Sequence, residues 1–307
     1  MLLAVAAIGF LLLSLVPGDP VVSLFPEAGD ARHYAELRAR FGLDRPLAQR
    51  FSVYLSEILQ GNLGQSLAQG RPVVQIIVER VPASLLLASA AMVVALLGIP
   101  FGVFLAHCAE RQPRIERASF MLVLMATGLP PFLLGLLLIL LFAAQLNLLP
   151  SQGATSIREA YVGAQRYGDI LVHLLLPSIT LGVQPLAALA RITRARILDI
   201  LPQDFIRTAR AKGLAEPVVL LRHALKNAVS APISLAALTL GHWIGGAVVT
   251  ETVFAWPGLG RLSVEAMLAR DYPLILGILV FGAALIVLAN LVADLLAATL
   301  DPRLRHG

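Results

Sequence analysis

The sequence predicts an all-α membrane protein with six transmembrane helices and both termini on the cytoplasmic side. Three observations predict it. The 307-residue chain is 58% hydrophobic and only 14% charged, whereas a soluble protein of this size carries about 25% charged residues. Its apolar residues gather into six stretches instead of being dispersed, and runs of ~18 or more are the signature of membrane spans. Its basic residues cluster in alternate loops, as the positive-inside rule requires.

The stretches are Met1–Val16, Ala83–Ala106, Ala118–Leu146, Ile170–Ala190, Ala228–Ala255 and Leu274–Leu300. Five are long enough to cross ~30 Å of hydrocarbon at ~1.5 Å per residue. The first is short and has no basic residue ahead of it, so it lacks both a signal-peptide n-region and a cytoplasmic anchor. It is expected to be a first helix clipped at its start. The loop 17–82 follows, with seven arginines balancing seven acids. Long loops cross membranes largely regardless of charge, so this one is placed outside the cell membrane. Within it, Asp30 suits the cap of a helix running to Phe41 and stopping at Gly42. Pro46 suits the first turn of a second helix ending at Gly61, with Leu47, Phe51, Leu55, Ile58 and Leu59 on one face.

The remaining loops set the orientation. Arg111, Arg114 and Arg117 lie between the second and third stretches. Arg191, Arg194, Arg196, Arg207, Arg210, Lys212, Arg222 and Lys226 lie between the fourth and fifth, and Arg303 and Arg305 lie in the tail. The short loops 149–169 and 256–273 hold two arginines each. A formal charge of +5 and a pI of about 9.9 would raise nucleic acid as a partner for a soluble chain. Here topology accounts for the charge, and the partners expected are membrane lipid and no nucleic acid. The single Cys108 cannot form an internal disulfide, and no Cys/His spacing suggests structural zinc.

Prolines mark the spans as irregular: Pro100 interrupts the second, Pro130-Pro131 the third, and Pro177 and Pro185 the fourth. Such breaks suit a substrate path with moving helices, or ordinary kinks. Gly241, Gly245 and Gly246 in the fifth permit close helix packing. Polar residues within spans are His173, Gln184, His242, Asn290 and Asp294. Gln184 and His242 are candidates for the pathway, with interhelical hydrogen bonding as the alternative use. Asp294 suits pairing with a terminal arginine. There is no P-loop, no Gly-x-Ser-x-Gly elbow and no His-Glu-x-x-His pair.

Charge concentrates at Arg207–Ala228, which holds both lysines of the chain and three arginines. Gln203–Lys212 has no proline and suits a helix, Gly213 a left-handed stop, and Pro217 the early turn of a helix restarting at Val218–Ala228. A short helix, a glycine turn and a helix returning to the membrane make a lever that can dock on a soluble partner. The same helix can instead lie on anionic lipid.

The segment resembles the "EAA" loop of ATP-binding-cassette importer permeases, and its peptide/nickel branch in particular, through "QDFIRTARAKGL" followed by "RHALKNA". Arg207-Thr208-Ala209 stands where Glu-Ala-Ala names the general motif, and Leu225-Lys226 replaces Leu-Pro, departures typical of that branch. The resemblance extends along nearly the whole chain, through "LVPGDP", "FGLDRPL", "GNLGQS", "RPVVQIIVERVPASLLL", "ETVFAWPGLGRLSVEAMLARDYP" and "NLVADLLAATLDPRLR". It implies the type I importer permease fold. The resemblance makes Gln203, Asp204, Phe205, Arg207, Thr208, Ala209, Arg210, Ala211, Lys212, Gly213 and Leu214 the segment that docks in a cleft on an ATPase. Loop 191–227 would be the cytoplasmic coupling loop, within a permease core of residues 83–307.

Glu251, Trp256, Pro257, Gly258, Gly260, Arg261, Arg270 and Asp271 suit a gate or turn element expected at the periplasmic edge. There Trp256 suits an interfacial anchor, and Pro257, Gly258 and Gly260 force a turn. The charged members are expected to pair with each other, with a partner permease or with a docked binding protein.

The implied partners are a homologous second permease, two ATP-binding subunits and a periplasmic substrate-binding protein, in a bacterial inner membrane. No cofactor is expected in this chain, since ATP and Mg²⁺ would be bound by the partner subunits, and no covalent chemistry is assigned to it. The substrate expected is a di- or oligopeptide. Within the family, the alternatives are nickel, a metal chelate or glutathione. Outside it, they are a stand-alone channel or secondary carrier and, more remotely, an intramembrane hydrolase.

Overall fold

The computed structural model describes residues 2–15, 31–40, 44–156, 161 and 163–300. Among these, all regular structure is helical apart from one isolated antiparallel bridge between Gln65 and Pro72. The expected cap Asp30, the stop at Phe41-Gly42, most of "LVPGDP" and the tail arginines Arg303 and Arg305 lie outside the described residues.

Helix α1, Leu2–Leu15, is apolar throughout. α2 spans Ala31–Arg40 and α3 Leu47–Leu59. Pro46 stands just ahead of α3, and its carbonyl accepts from the Gln49 and Arg50 amides. α3 packs the middle of the expected stripe, with Phe51, Leu55 and Ile58 half-buried, and adds Tyr54 to it. Leu47 and Leu59 are exposed, while Phe51 and Tyr54 meet Phe10 of α1 at ring-centroid distances of 5.2 and 5.5 Å. Aromatic area outweighs the leucines at the ends.

α4, Val73–Leu96, and α5, Gly98–Arg111, continue one another as an apolar rod over Val73–Ala109. Pro82 is accommodated inside α4, and Pro100 falls in the first turn of α5, where its missing N–H costs little. α6, Pro113–Gly128, and α7, Pro131–Leu138, are bent by 105° at Leu129-Pro130, and α7 runs on into a wide turn at Ile139–Gln145. The third apolar stretch is therefore a broken element rather than one straight span. The cause is local: the adjacent prolines supply no N–H, and the first holds Leu129 extended.

α8, Ala164–Ile200, is a single 37-residue helix. Pro177 and Pro185 do not interrupt it, contrary to the expectation from sequence. Side chains of neighbouring helices surround its middle, and packing there offsets the lost hydrogen bonds. It runs ten residues past the predicted end of the fourth span and carries Arg191, Arg194 and Arg196.

The fifth stretch is also divided. α12, Ser230–Ile244, is separated from α13, Val248–Val253, by the glycine pair Gly245-Gly246. (The segment Glu216–Ala228 before it holds α10, Glu216–Val218, a wide turn, Val219–Ala224, and α11, Leu225–Ala228.) At ~1.5 Å per residue α12 covers about 22 Å, short of ~30 Å of hydrocarbon. α14, Leu259–Leu268, and α15, Tyr272–Leu300, complete the chain. Three described helical segments are long and apolar enough to cross a membrane, or four if the bent pair is one crossing.

α8 is the central post. α4, α5, α6 and α7 all pack on it, and small residues let them approach. A Cβ on Gly98 would lie 2.2 Å from the Leu186 carbonyl oxygen, and one on Gly102 2.5 Å from that of Ala190. α12 packs against α15 as its glycines predicted, with Gly241 facing Ala289 and Asn290, and Gly245 facing Ile286.

Candidate functional site

The segment assigned to coupling forms α9, Asp204–Ala211, directly after α8. Its two faces differ. Ile206 and Ala209 are buried with Val103, Ala106, Ile197, Ile200, Val219 and Leu220, which anchors the helix to the ends of α5 and α8. Gln203, Asp204, Phe205, Arg207, Thr208, Ala211, Lys212 and Leu214 are exposed. Phe205 stands out as a large aromatic ring 41% exposed on an otherwise polar helix. Gly213 takes φ +77° and donates its N–H to the Arg210 carbonyl at 2.9 Å. This is the left-handed stop the sequence predicts. Ala209, included among the docking residues, faces inward instead, because its methyl fills the gap above the buried core.

A second feature of this end was not legible in the sequence. Glu116, in the first turn of α6, accepts from Arg194 of α8, with Nη2 at 2.6 Å and Nε at 2.8 Å. Arg194 also lies over the Phe120 ring at 4.9 Å. The Glu116 carboxylate is 10% exposed and the guanidinium 24%. Glu116→Ala should therefore leave a largely buried cation without its partner, at about 2–3 kcal/mol. A lower melting temperature in detergent is expected, and an unchanged one would refute the pair's structural weight.

At the opposite, arginine-poor end, residues 247–271 fold against α4. Glu251 is 1% exposed. Its Oε1 accepts from the Ser84 hydroxyl at 2.8 Å, and its Oε2 from the Arg261 amide at 3.0 Å. Ser84 in turn accepts from the Leu259 amide at 2.8 Å. A Cβ on Gly258 would sit 2.4 Å from the Glu251 carboxylate, so only glycine lets the turn close over it.

Asp271 is fully buried. It accepts from the Ser66 hydroxyl, from the Leu67 and Ala68 amides at 3.2 Å each, and from the Leu274 amide at 3.3 Å. It thus fixes loop 66–68 to the start of α15. The expected pairing among charged side chains is replaced for both acids by hydroxyl and backbone donors. Arg261 pairs with Glu265 at 2.8 Å and donates to the Ala255 carbonyl at 2.6 Å. Arg270 has φ +50°, at the turn into α15.

Trp256 is corrected from interfacial anchor to core. It is 1% exposed among Leu87 and Leu174, and its indole N–H donates to the Ala83 carbonyl at 2.8 Å. Its polar edge finds a partner inside the protein, which removes the need for the interface. Pro257 and Gly258 lead into α14, and Gly260 lies against Val248.

The two pathway candidates are not brought together by any contact. Gln184 donates its amide to the Leu129 carbonyl at 2.8 Å and reaches that of Thr127 at 3.5 Å. These are carbonyls that the Pro130-Pro131 break leaves without helical N–H partners. His242 lies exposed in the last turn of α12.

Residues 98–306 match the family model described as "Binding-protein-dependent transport system inner membrane component", and residues 1–88 match the N-terminal model of the same systems. The chain belongs to this permease family. The dipeptide transport system permease protein DppB of Escherichia coli K12 is 36% identical to it over 323 aligned positions, covering 99% of this chain and 95% of the relative. The probable peptide ABC transporter permease protein y4tP of Sinorhizobium fredii is 39% identical, covering 97% and 93%. The glutathione transport system permease protein GsiC of Salmonella choleraesuis is 38% identical, covering 99% and 95%. Among solved structures, the inward-facing MetNI methionine ABC transporter matches with a TM-score of 0.59 at 19% identity, over 74% of this chain and 97% of that one. The permease therefore has the type I importer fold. It is a multi-pass inner-membrane protein of the peptide/nickel importer branch, and a transport component rather than an enzyme.

Proposed function

We propose that this permease is one of two homologous subunits forming the translocation path of an ATP-driven, binding-protein-dependent importer of di- and oligopeptides. The observation that carries this reading is its 36–39% identity, over almost its whole length, with permeases named for dipeptide, peptide and glutathione transport. Glutathione is itself a tripeptide. In this reading six segments cross the membrane with both termini cytoplasmic, residues 17–82 and 256–273 face the periplasm, and loop 191–227 faces the cytoplasm. The outward face of α9 docks on one of two ATPase subunits, which bind ATP and Mg²⁺. A periplasmic binding protein delivers the peptide to the side closed by residues 251–271. Closure of the ATPase dimer pushes α9 and shifts the permease pair between inward- and outward-facing states, driven by differential binding.

The test is purification and reconstitution. The permease should co-purify with ATPase subunits, and vesicles carrying the whole assembly should accumulate a labelled dipeptide only with ATP and binding protein. Flux through the permease alone would identify a channel or carrier. Uptake of nickel but not dipeptide by the whole assembly would refute the peptide assignment.

A further inference from the structure

Arg210 belongs by position to the docking helix, yet its guanidinium turns away from the outward face. Nη2 donates to Glu216 Oε1 at 2.7 Å and Nε to Glu216 Oε2 at 3.2 Å. This two-point fork bridges the Gly213 turn, from the last turn of α9 to the first turn of α10. Glu216 is 18% exposed and Arg210 36%, so the pair is partly shielded from solvent. The neighbouring Arg207 differs sharply, 72% exposed and 3.6 Å from a carboxylate that is itself 97% exposed.

Both members of the fork sit at favourable ends of helix dipoles, the cation at a C-terminus and the anion at an N-terminus. The turn they span contains one left-handed glycine with nothing within 4 Å of where a Cβ would lie. The turn itself therefore adds no packing to the apolar seat of Ile206 and Ala209 on Val219 and Leu220.

We infer that Arg210 and Glu216 are positioning residues, a fork that sets the angle of the coupling helix, and that Arg210 acts through Glu216 rather than by touching the ATPase. This deepens the proposed coupling role of α9 and rests on it. The fork makes the α9–turn–α10 unit rigid, so that a push on α9 is transmitted to Val219, Leu220 and the helices they pack on. Without the fork only the apolar contact of Ile206 and Ala209 with Val219 and Leu220 joins the two elements, and part of the push is lost in the glycine turn. Lysine is a poor substitute for the arginine, because its ammonium is a point charge without the rigid planar fork that meets both carboxylate oxygens from two nitrogens.

The test is a double-mutant cycle in the complete importer, reading peptide transported per ATP hydrolysed in complexes matched for assembled subunits. That ratio does not respond to a merely lower yield of folded protein. Arg210→Ala and Glu216→Ala should each lower it roughly fivefold to tenfold, and the double variant should be no worse than the more damaging single one. Arg210→Lys should behave like Arg210→Ala. Normal coupling in Glu216→Ala, or a double variant whose loss is the product of the two, would overturn the inference. Phe205→Ala, on the outward face, separates the two levels. If it uncouples while Glu216→Ala does not, docking through α9 stands and the fork fails. If Phe205→Ala, Arg210→Ala and Glu216→Ala all couple normally, both fail.

Discussion

Replacing Gly213 with proline is expected to reduce peptide transport and transport-coupled ATP hydrolysis by about a hundredfold while leaving the protein in the membrane. Proline is locked near φ −65°, and Gly213 sits at φ +77°. Proline also removes the N–H that closes the turn on the Arg210 carbonyl. Together these cost ~3 kcal/mol or more, and 1.4 kcal/mol is worth a factor of ten in an equilibrium. The damage stays local, because Gly213 is exposed and no side chain packs where its Cβ would be. The apolar helices are unaffected, so insertion and expression should match the parent. Gly213→Ala should be milder, since alanine in the left-handed region costs about 1–2 kcal/mol and keeps the N–H. Uptake assays on membranes matched for permease content decide the matter. A proline variant that transports normally would remove the turn from the coupling mechanism.

A large loss of stability is expected at Gly258→Ala. The new methyl would fall 2.4 Å from a carboxylate that cannot retreat, since Ser84 and the Arg261 amide hold its two oxygens. Either the turn opens or those bonds break, and a buried polar group left unpaired costs about 1–3 kcal/mol in addition to the overpacking. A total of about 3–5 kcal/mol is expected, read as a fall of many degrees in the melting temperature in detergent. A melting curve superimposable on the parent's would show that residues 256–260 are not held closed over Glu251.

Much of the architecture was written in composition. Long apolar runs marked the three described segments long and apolar enough to cross a membrane, and the broken one between them. Gly213 declared the turn after α9 because few other residues take that conformation. What sequence did not carry was partnership at long range. Glu116 and Arg194 are 78 positions apart, and each reads alone as one more charge obeying the topology rule. Trp256 reads as an interfacial ring until Ala83 and Leu87 are placed beside it. Glu251 and Asp271 suggested ion pairs because the sequence displays arginines but not backbone amides, and amides are what bind them. The Pro130-Pro131 pair located a break, but its 105° angle follows from how α7 packs on α8 and how Gln184 covers the exposed carbonyls. Pro177 and Pro185 warned of breaks that packing suppressed.

The unbroken length of α8 gives the molecule a mechanical advantage. Its 37 residues make a rod about 55 Å long, and α9 follows its end after a three-residue link. α8 is gripped closely at Gly182, Leu186 and Ala190, where a Cβ on Gly182, Gly98 or Gly102 would lie 2.7, 2.2 or 2.5 Å from a backbone carbonyl oxygen of the facing helix. The last of these grips leaves an arm of about 15 Å to Ile200. In the proposed coupling, a tilt of roughly ten degrees swings the arm's tip by about 2.6 Å, close to half a helical turn. A break at Pro185, between the first grip and the second, would turn that crankshaft into a hinge and dissipate the stroke.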